Sequence, residues 1–417
     1  MRKYGNYLEK PYLRFDSSSP TARSTYNRGG IQRYGPYDST IFDKRIIKAG
    51  ILYPKNLDIL KNKLMKALIE GDGHFPGFRI WFKIPLEITE EVPIDLVNDN
   101  IDKKANQIIT KDLDIVFILL PKKNKKVYSN CKKIFCGNGI PCQVITAEKV
   151  NQSNIEWIIE NIALATYAKV GGTPWVVEKN NNDPDELLLG VSRAKDKSSF
   201  IVGFVTLFTQ SGEFILLHSK APVIRWNDYV SGLESLIVES YEEFVRIRNI
   251  PKTIILHFHK KPGFKELEAI NNALTKIGDI PYALIHLNEY SNLHLFDSNH
   301  TSYIPNSGLT AELSLRRSLL LLDGRISGRQ RRKVGVPKVW DIYVDKRSTT
   351  DIELEKSRFI NQIFNISYVN WRGFNANIRP ITINYSKLIS KMVAEIGIEN
   401  WNSIIASGKM KNKAWFL

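Results

Sequence analysis

Tyr167-Ala168-Lys169-Val170-Gly171-Gly172-Thr173-Pro174-Trp175 is the stretch on which the fold turns. Ahead of it lies a helical pattern, Asn154 to Ala168. Behind it a loop rich in Asn and Asp gives way to the apolar run Leu187-Leu188-Leu189-Gly190-Val191. A lysine closes the helix, two glycines let the backbone turn or approach a neighbour closely, and Pro174 stops the helix from continuing. The combination predicts a rigid junction between two folded parts.

Upstream of the junction, Ile115-Val116-Phe117-Ile118-Leu119-Leu120 is a continuous apolar run ended by Pro121, as a buried parallel strand requires. A helix around Tyr128 to Phe135, a strand over Cys142 to Thr146 and the 154–168 helix follow. This alternation predicts a small α/β domain with a parallel sheet over 38–168. Nearer the N-terminus, residues 1–30 read as an irregular arm, Ile31 to Asp38 as an aromatic turn and Phe78-Arg79-Ile80-Trp81-Phe82 as a strand. Downstream, strands over 186–191, 199–209 and 213–219 precede an amphipathic helix over 226–248. A strand at 253–257, a helix at 264–277 and a strand at 282–287 complete the pattern. Antiparallel strands followed by alternating helices and strands is the order of an RNase H-like fold.

The 417-residue chain carries 59 basic and 43 acidic residues, a net charge of +16 that favours polyanions. No apolar run reaches the length of about 18 residues needed to span a bilayer, and the start lacks a signal-peptide core. Both point to a cytoplasmic protein. Cys131, Cys136 and Cys142 have neither zinc spacing nor a nearby His, and read as reduced core thiols.

Six lysines (Lys122, Lys123, Lys125, Lys126, Lys132 and Lys133) crowd twelve residues. Such a run is ordinarily a solvated face. Tyr128 and Lys132, however, stand four apart on one helix face, and Gln143 opens the next strand. An aromatic face, two lysines and an amide suit a 5′-phosphate with its base stacked on the ring. Lys169 supplies the second lysine if its helix end folds back to that cleft.

The chain resembles short prokaryotic Argonautes, which consist of MID and PIWI domains alone. The residues that carry the likeness are Arg33-Tyr34-Gly35-Pro36-Tyr37, Tyr128 with Lys132, Gln143 and Lys169 through Trp175. Further on come Leu287-Asn288-Glu289, Asn370-Trp371-Arg372-Gly373-Phe374, Pro380 to Tyr385 and the terminal Trp415-Phe416-Leu417. The resemblance implies an α/β fold with a Rossmann-like MID domain at 38–168 and an RNase H-like PIWI domain at 169–417. An arm at 1–37 would pack on PIWI. It implies a guide 5′-phosphate held by Tyr128, Lys132, Gln143 and Lys169, with Lys133 the alternative should the helix register differ by one. It also implies a divalent cation, Mg²⁺ or Mn²⁺, held with help from Gln143 and the Leu417 carboxylate.

Members of the family that cut bind two metals with RNase H-like carboxylates. Here Gly190 or Ser192, depending on alignment, takes the place of the first Asp. His257-Phe258-His259-Lys260-Lys261 stands where the second is expected, and Asn384 where the last ligand falls. The expectation is a catalytically inactive PIWI domain with structural histidines. Arg316, Arg317, Arg325, Arg329, Arg331, Arg332 and Lys333 are expected to track a duplex backbone, with Arg372 and Lys387 along the same channel. By family tendency the guide is RNA and the target DNA. Partners implied are a separately encoded APAZ-type protein in a heteromer, and an effector, membrane-bound or NAD-consuming, that kills or arrests the infected cell. Recruitment to a membrane would run through that effector. The rival readings are an active guided nuclease using displaced acids such as Asp185, Asp196 or Asp323, and a guide-independent binding scaffold.

Overall fold

A computed structural model describes residues 5–95, 101–151, 155–179, 184–195, 200–259, 261–323, 337–375 and 378–417. The chain divides into two compact units that interleave in sequence. The first comprises Leu13–Val176, Trp371–Phe374 and Lys391–Leu417; the second comprises Met1–Tyr12, Val177–Asn370 and Asn375–Ser390. Contiguous boundaries at 37/38 and 168/169 therefore do not coincide with this division. Residues 1–12 belong to one unit, 13–37 to the other, and the last 27 residues (391 to 417) group with the earlier part of the chain.

The first unit is built on a four-stranded parallel sheet in the order Leu86–Ile94, Ile47–Pro54, Ile115–Leu120, Cys142–Thr146. The Ile115–Leu120 strand is buried at every position, as its unbroken apolar run predicts. Helices Lys125–Gly137 and Ile155–Lys169 complete the βαβα alternation. Asn124 starts the first of them by accepting from the backbone N–H groups of Lys126 and Val127 at 3.1 and 3.2 Å, satisfying donors that a helix leaves orphaned. All three cysteines are buried free thiols.

Two local expectations fail in this unit. Phe78–Phe82 is a short helix, not a strand. Its buried residues Phe78, Trp81 and Phe82 follow i, i+3, i+4 spacing, and the turn is bracketed by Gly77 (φ 101°) and left-handed Lys83 (φ 59°). Within the expected irregular arm, residues 13–30 carry regular structure. Leu13–Arg14 pairs with Arg23–Ser24, Leu13, Phe15 and Ala22 are buried, and a helix covers Asn27–Tyr34 before the chain turns at Gly35. The aromatic turn expected from Ile31 thus begins four residues late.

The Tyr167–Trp175 junction is clasped by one side chain. Buried Asp38 accepts from the Tyr167 hydroxyl at 2.6 Å and from the Thr173 N–H at 2.8 Å. Gly171 has φ 104°, and a Cβ on Gly172 would lie 2.3 Å from the Tyr167 ring, so the two glycines serve conformation and close approach respectively. Trp175 is fully buried, its carbonyl accepts from Trp371 Nε1 at 3.0 Å, and its ring stacks on Phe374. Asp38→Ala would orphan a buried hydroxyl and a buried N–H. It should cost roughly 3 kcal/mol, read as a lowered melting temperature; an unchanged melt would show that the clasp carries no stability.

The second unit centres on a nine-stranded sheet. Its spatial order is Asn6–Tyr7, Leu309–Ser314, Arg317–Leu321, Val339–Val344, Tyr282–Asn288, Thr253–His259, Glu186–Lys195, Ile201–Thr209, Phe214–Ser219. The Tyr282, Thr253 and Glu186 strands run parallel, and the other pairings are antiparallel. Counted from Glu186, the last five strands in that order read 5-4-1-2-3, with 1, 4 and 5 parallel, which is an RNase H-like core. Helix Trp226–Ile247 lays Tyr229, Leu233, Leu236, Ile237 and Phe244 on the sheet. Full burial of such a side chain stabilises by roughly 2 kcal/mol, so the stripe holds the helix in place. Among the described residues no helix is long and apolar enough to cross a membrane.

Candidate nucleic-acid interface

Within the first unit, the structure gathers four of the expected phosphate ligands around one backbone carbonyl. Lys132 is 2% exposed; its Nζ donates to the Cys142 carbonyl at 3.1 Å and to the Trp415 carbonyl at 3.3 Å. Lys169, equally buried, donates to the same Cys142 carbonyl at 3.4 Å and to Gln143 Oε1. The half-buried Tyr128 ring lies 5.8 Å from Lys132 Nζ. The four residues come from three places: the middle of one helix, the start of the strand that follows it, and the last residue of the 155–169 helix. Lys133 is exposed on the other side of its helix, so Lys132 is the residue the fold turns inward. Of the chain end, where the Leu417 carboxylate is expected at this pocket, Trp415 and Phe416 are buried, the Trp415 carbonyl accepts from Lys132, and Leu417 is half-buried.

The hydrogen bonds described for the two lysines run to carbonyl and amide oxygens and to no carboxylate. Burial, then the neighbouring Lys132 charge, pushes the Lys169 pKa well down. Burial also opposes the Lys132 charge, but the Cys142 and Cys136 sulfurs and Tyr128 outweigh it and the pKa is raised. The Cys142 thiol is drawn down to about 6, first by a hydrogen bond from Cys136 and then, against its own burial, by the two lysines. The arrangement can take up an anion, with a ring beside it on which a base can stack. Arg372, expected along a duplex channel, belongs to this unit. It is exposed, and its charge is near enough to depress Lys169 further.

The second unit holds Gly190, Ser192, His257 and Asn384, the positions expected in place of nuclease carboxylates. Gly190 pairs with Thr206 on one side and His257 on the other. A Cβ there would lie 2.5 Å from Thr206 Oγ1 and 2.8 Å from the Thr382 carbonyl, so the position has no room for a side chain. His257 is buried, accepts or donates to Thr382 Oγ1 at 2.9 Å, and is held neutral by burial, its pKa pulled to about 3. Ser192 and Asn384 are half-buried. Among the described residues no three His, Cys, Asp or Glu side chains gather as a metal site. Of the displaced acids, Asp185 is exposed and paired with Lys179, Asp323 is buried, and Asp196 lies outside the described residues.

The basic track is only partly placed. Arg316 donates to the Asp345 carbonyl at 3.2 Å, and Arg317 forms a bidentate pair with Asp341 at 2.8 and 2.6 Å. Both are thus already bonded within the protein. Arg325, Arg329, Arg331, Arg332 and Lys333 lie outside the described residues. Sequence reasoning missed the cluster around Glu289, which accepts from Arg379 Nε at 2.9 Å, from Lys387, and lies 3.2 Å from His259 Nε2. Leu287-Asn288-Glu289 stood out as a motif, but nothing in it foretells three basic partners arriving from two other segments.

The Piwi domain model matches residues 115–315. A Piwi protein of Archaeoglobus fulgidus is 21% identical over 405 residues, covering 93% of each chain. An argonaute of Cereibacter sphaeroides is 22% identical over 93% of this chain and 56% of its own. Among solved structures, Clostridium butyricum Argonaute bound to a guide DNA and a 19-mer target DNA superposes with a TM-score of 0.74 at 16% identity. That match covers 94% of this chain and 53% of the Clostridium chain. The chain thus spans nearly the whole archaeal relative and about half of the longer argonautes.

Proposed function

We propose that this protein holds a guide strand by its 5′-phosphate, finds complementary nucleic acid through base pairing, and does not cut it. The observation that carries the reading is the convergence of Lys132 and Lys169 on the Cys142 carbonyl beside Gln143 and Tyr128. Burial and the neighbouring Lys132 disfavour the charge on Lys169, and an anion joining the pair would relieve that penalty. A guide phosphate supplies that anion, and Tyr128 supplies a face for the first base. The Gly190 packing supports recognition without cleavage.

A divalent cation fits this pocket in part. Gln143 offers one oxygen, which already accepts from Lys169. A Mg²⁺ or Mn²⁺ ion would therefore draw on phosphate oxygens, water and the Leu417 carboxylate for the rest of its shell. Such an ion would help neutralise the phosphate. RNA guide and DNA target remain the assignment, with the signal passed to a separately encoded APAZ-type partner and an effector in defence against invading nucleic acid.

The test loads the full chain with guide and adds labelled complementary target and Mn²⁺, once with RNA and once with DNA in each role. Tight binding of complementary over scrambled target, with the target recovered intact, is expected. A discrete cut within the paired region would overturn the non-cleaving reading, and equal binding of scrambled target would favour a guide-independent scaffold.

A further inference from the structure

In the second unit, a cavity of 380 Å³ opens between the carboxyl ends of the Glu186–Lys195 and Thr253–His259 strands and the helices that begin at Phe264 and Ile381. Ligands of α/β sheets bind at such strand ends, and a two-metal nuclease places its carboxylates there. In this chain the walls include Ser192, Arg193, His259, Lys261, Lys387 and Ser390. The acidic side chains nearby are already committed to cations. Glu266 pairs with Arg193 and accepts from Tyr229 at 2.9 Å. Glu289 is shared among Lys387, Arg379 and His259. Glu289 alone meets two permanent cations, and Lys261 adds a further positive charge on an exposed side chain. The lining is therefore net positive and edged with hydroxyls. Such a surface repels metal ions and suits one singly charged, tetrahedral anion.

We infer that this cavity is a metal-independent phosphodiester site, in which Lys261 and Lys387 hold one backbone phosphate of the guide–target duplex with help from the Ser192 and Ser390 hydroxyls. Protein cations here take the charge-neutralising part that two divalent ions play in a cutting enzyme. Glu289 acts as a positioning residue, fixing Lys387 between the strand ends. The inference rests on the guide-directed reading above and adds to it a fixed point of contact on the duplex.

The experiment needs no variant at first. Guide-loaded full chain in EDTA is titrated with duplex-forming targets that each carry a single neutral methylphosphonate, moved one linkage at a time; a second arm places the modification in the guide. One linkage, or two adjacent ones, in one of the strands should weaken target binding about tenfold. In Lys261→Ala or Lys387→Met protein that linkage should lose its sensitivity. The exposed Lys261 makes the first substitution safe for folding. Flat scans on both strands overturn the inference, as does a sensitive linkage that stays equally sensitive in both variants. The preference for a 5′-phosphorylated guide, measured in the same preparations, is expected to survive in either case. Its absence would count instead against the proposed guide binding.

Discussion

A guide bearing a 5′-phosphate should outcompete its 5′-hydroxyl twin by at least about tenfold, and Tyr128→Ala combined with Lys169→Ala should erase that preference. The size follows from the bonds involved. A charge-assisted hydrogen bond to phosphate contributes about 1.5–3 kcal/mol, and each tenfold in affinity is about 1.4 kcal/mol. Lys169 is the informative residue because burial and its neighbour Lys132 destabilise its charge in the empty pocket. A phosphate relieves that penalty, so the gain on binding exceeds that of a surface lysine. Lys133→Ala, on the exposed side of the same helix, should leave the preference intact. Equal binding of the two guides by the parent protein would sink the assignment, and so would a Lys133→Ala effect as large as that of the double variant.

The second large effect concerns stability. Gly190→Asp, the substitution that would restore a carboxylate to the first strand, should damage the fold without producing a nuclease. Its Cβ would fall 2.5 Å from Thr206 Oγ1 and 2.8 Å from the Thr382 carbonyl, and backbone atoms cannot step aside as a flexible side chain can. Overpacking of this kind costs about 1–3 kcal/mol, and a carboxylate forced in beside a carbonyl oxygen adds an unpaired buried charge. A marked fall in melting temperature is expected, with target left uncut in Mn²⁺. Ser192→Asp, at a half-buried position, should fold normally and serves as the control. A Gly190→Asp protein as stable as its parent, or one that cuts, would refute this account of the position.

Much of the fold could be read from the chain because single runs settle it. Ile115–Leu120 is apolar throughout and buried throughout. The order of strands after the junction matches an RNase H-like core, and the sheet order bears that out. Where reading failed, two periods competed over too few residues. Phe78-Arg79-Ile80-Trp81-Phe82 has four apolar positions in five and fits either a strand or one helical turn. The positive-φ residues at both ends, which a sequence does not advertise for Lys83, decide for the helix.

The candidate site divides the same way. Tyr128 and Lys132 were legible as an i, i+4 pair, but a one-residue slip rotates a helix by about 100°, so only coordinates separate Lys132 from Lys133. The Trp415 carbonyl reaches Lys132 across 283 positions of chain. No local pattern encodes such a contact. The segment of Arg372 leaves the second unit for four residues and then returns, which no local pattern announces.

That excursion carries a consequence for how this molecule can be inherited or re-engineered. Each unit is written in three separate stretches, so neither travels as a single cassette. A crossover anywhere near the Gly171-Gly172 turn would part the Leu13–Val176 stretch from Trp371–Phe374 and from the final 27 residues, counted from 391 to 417, that complete its unit. A chimera grafting a new guide preference would have to exchange all three stretches at once, and gene-fragment recombination would tend to pass the protein on whole.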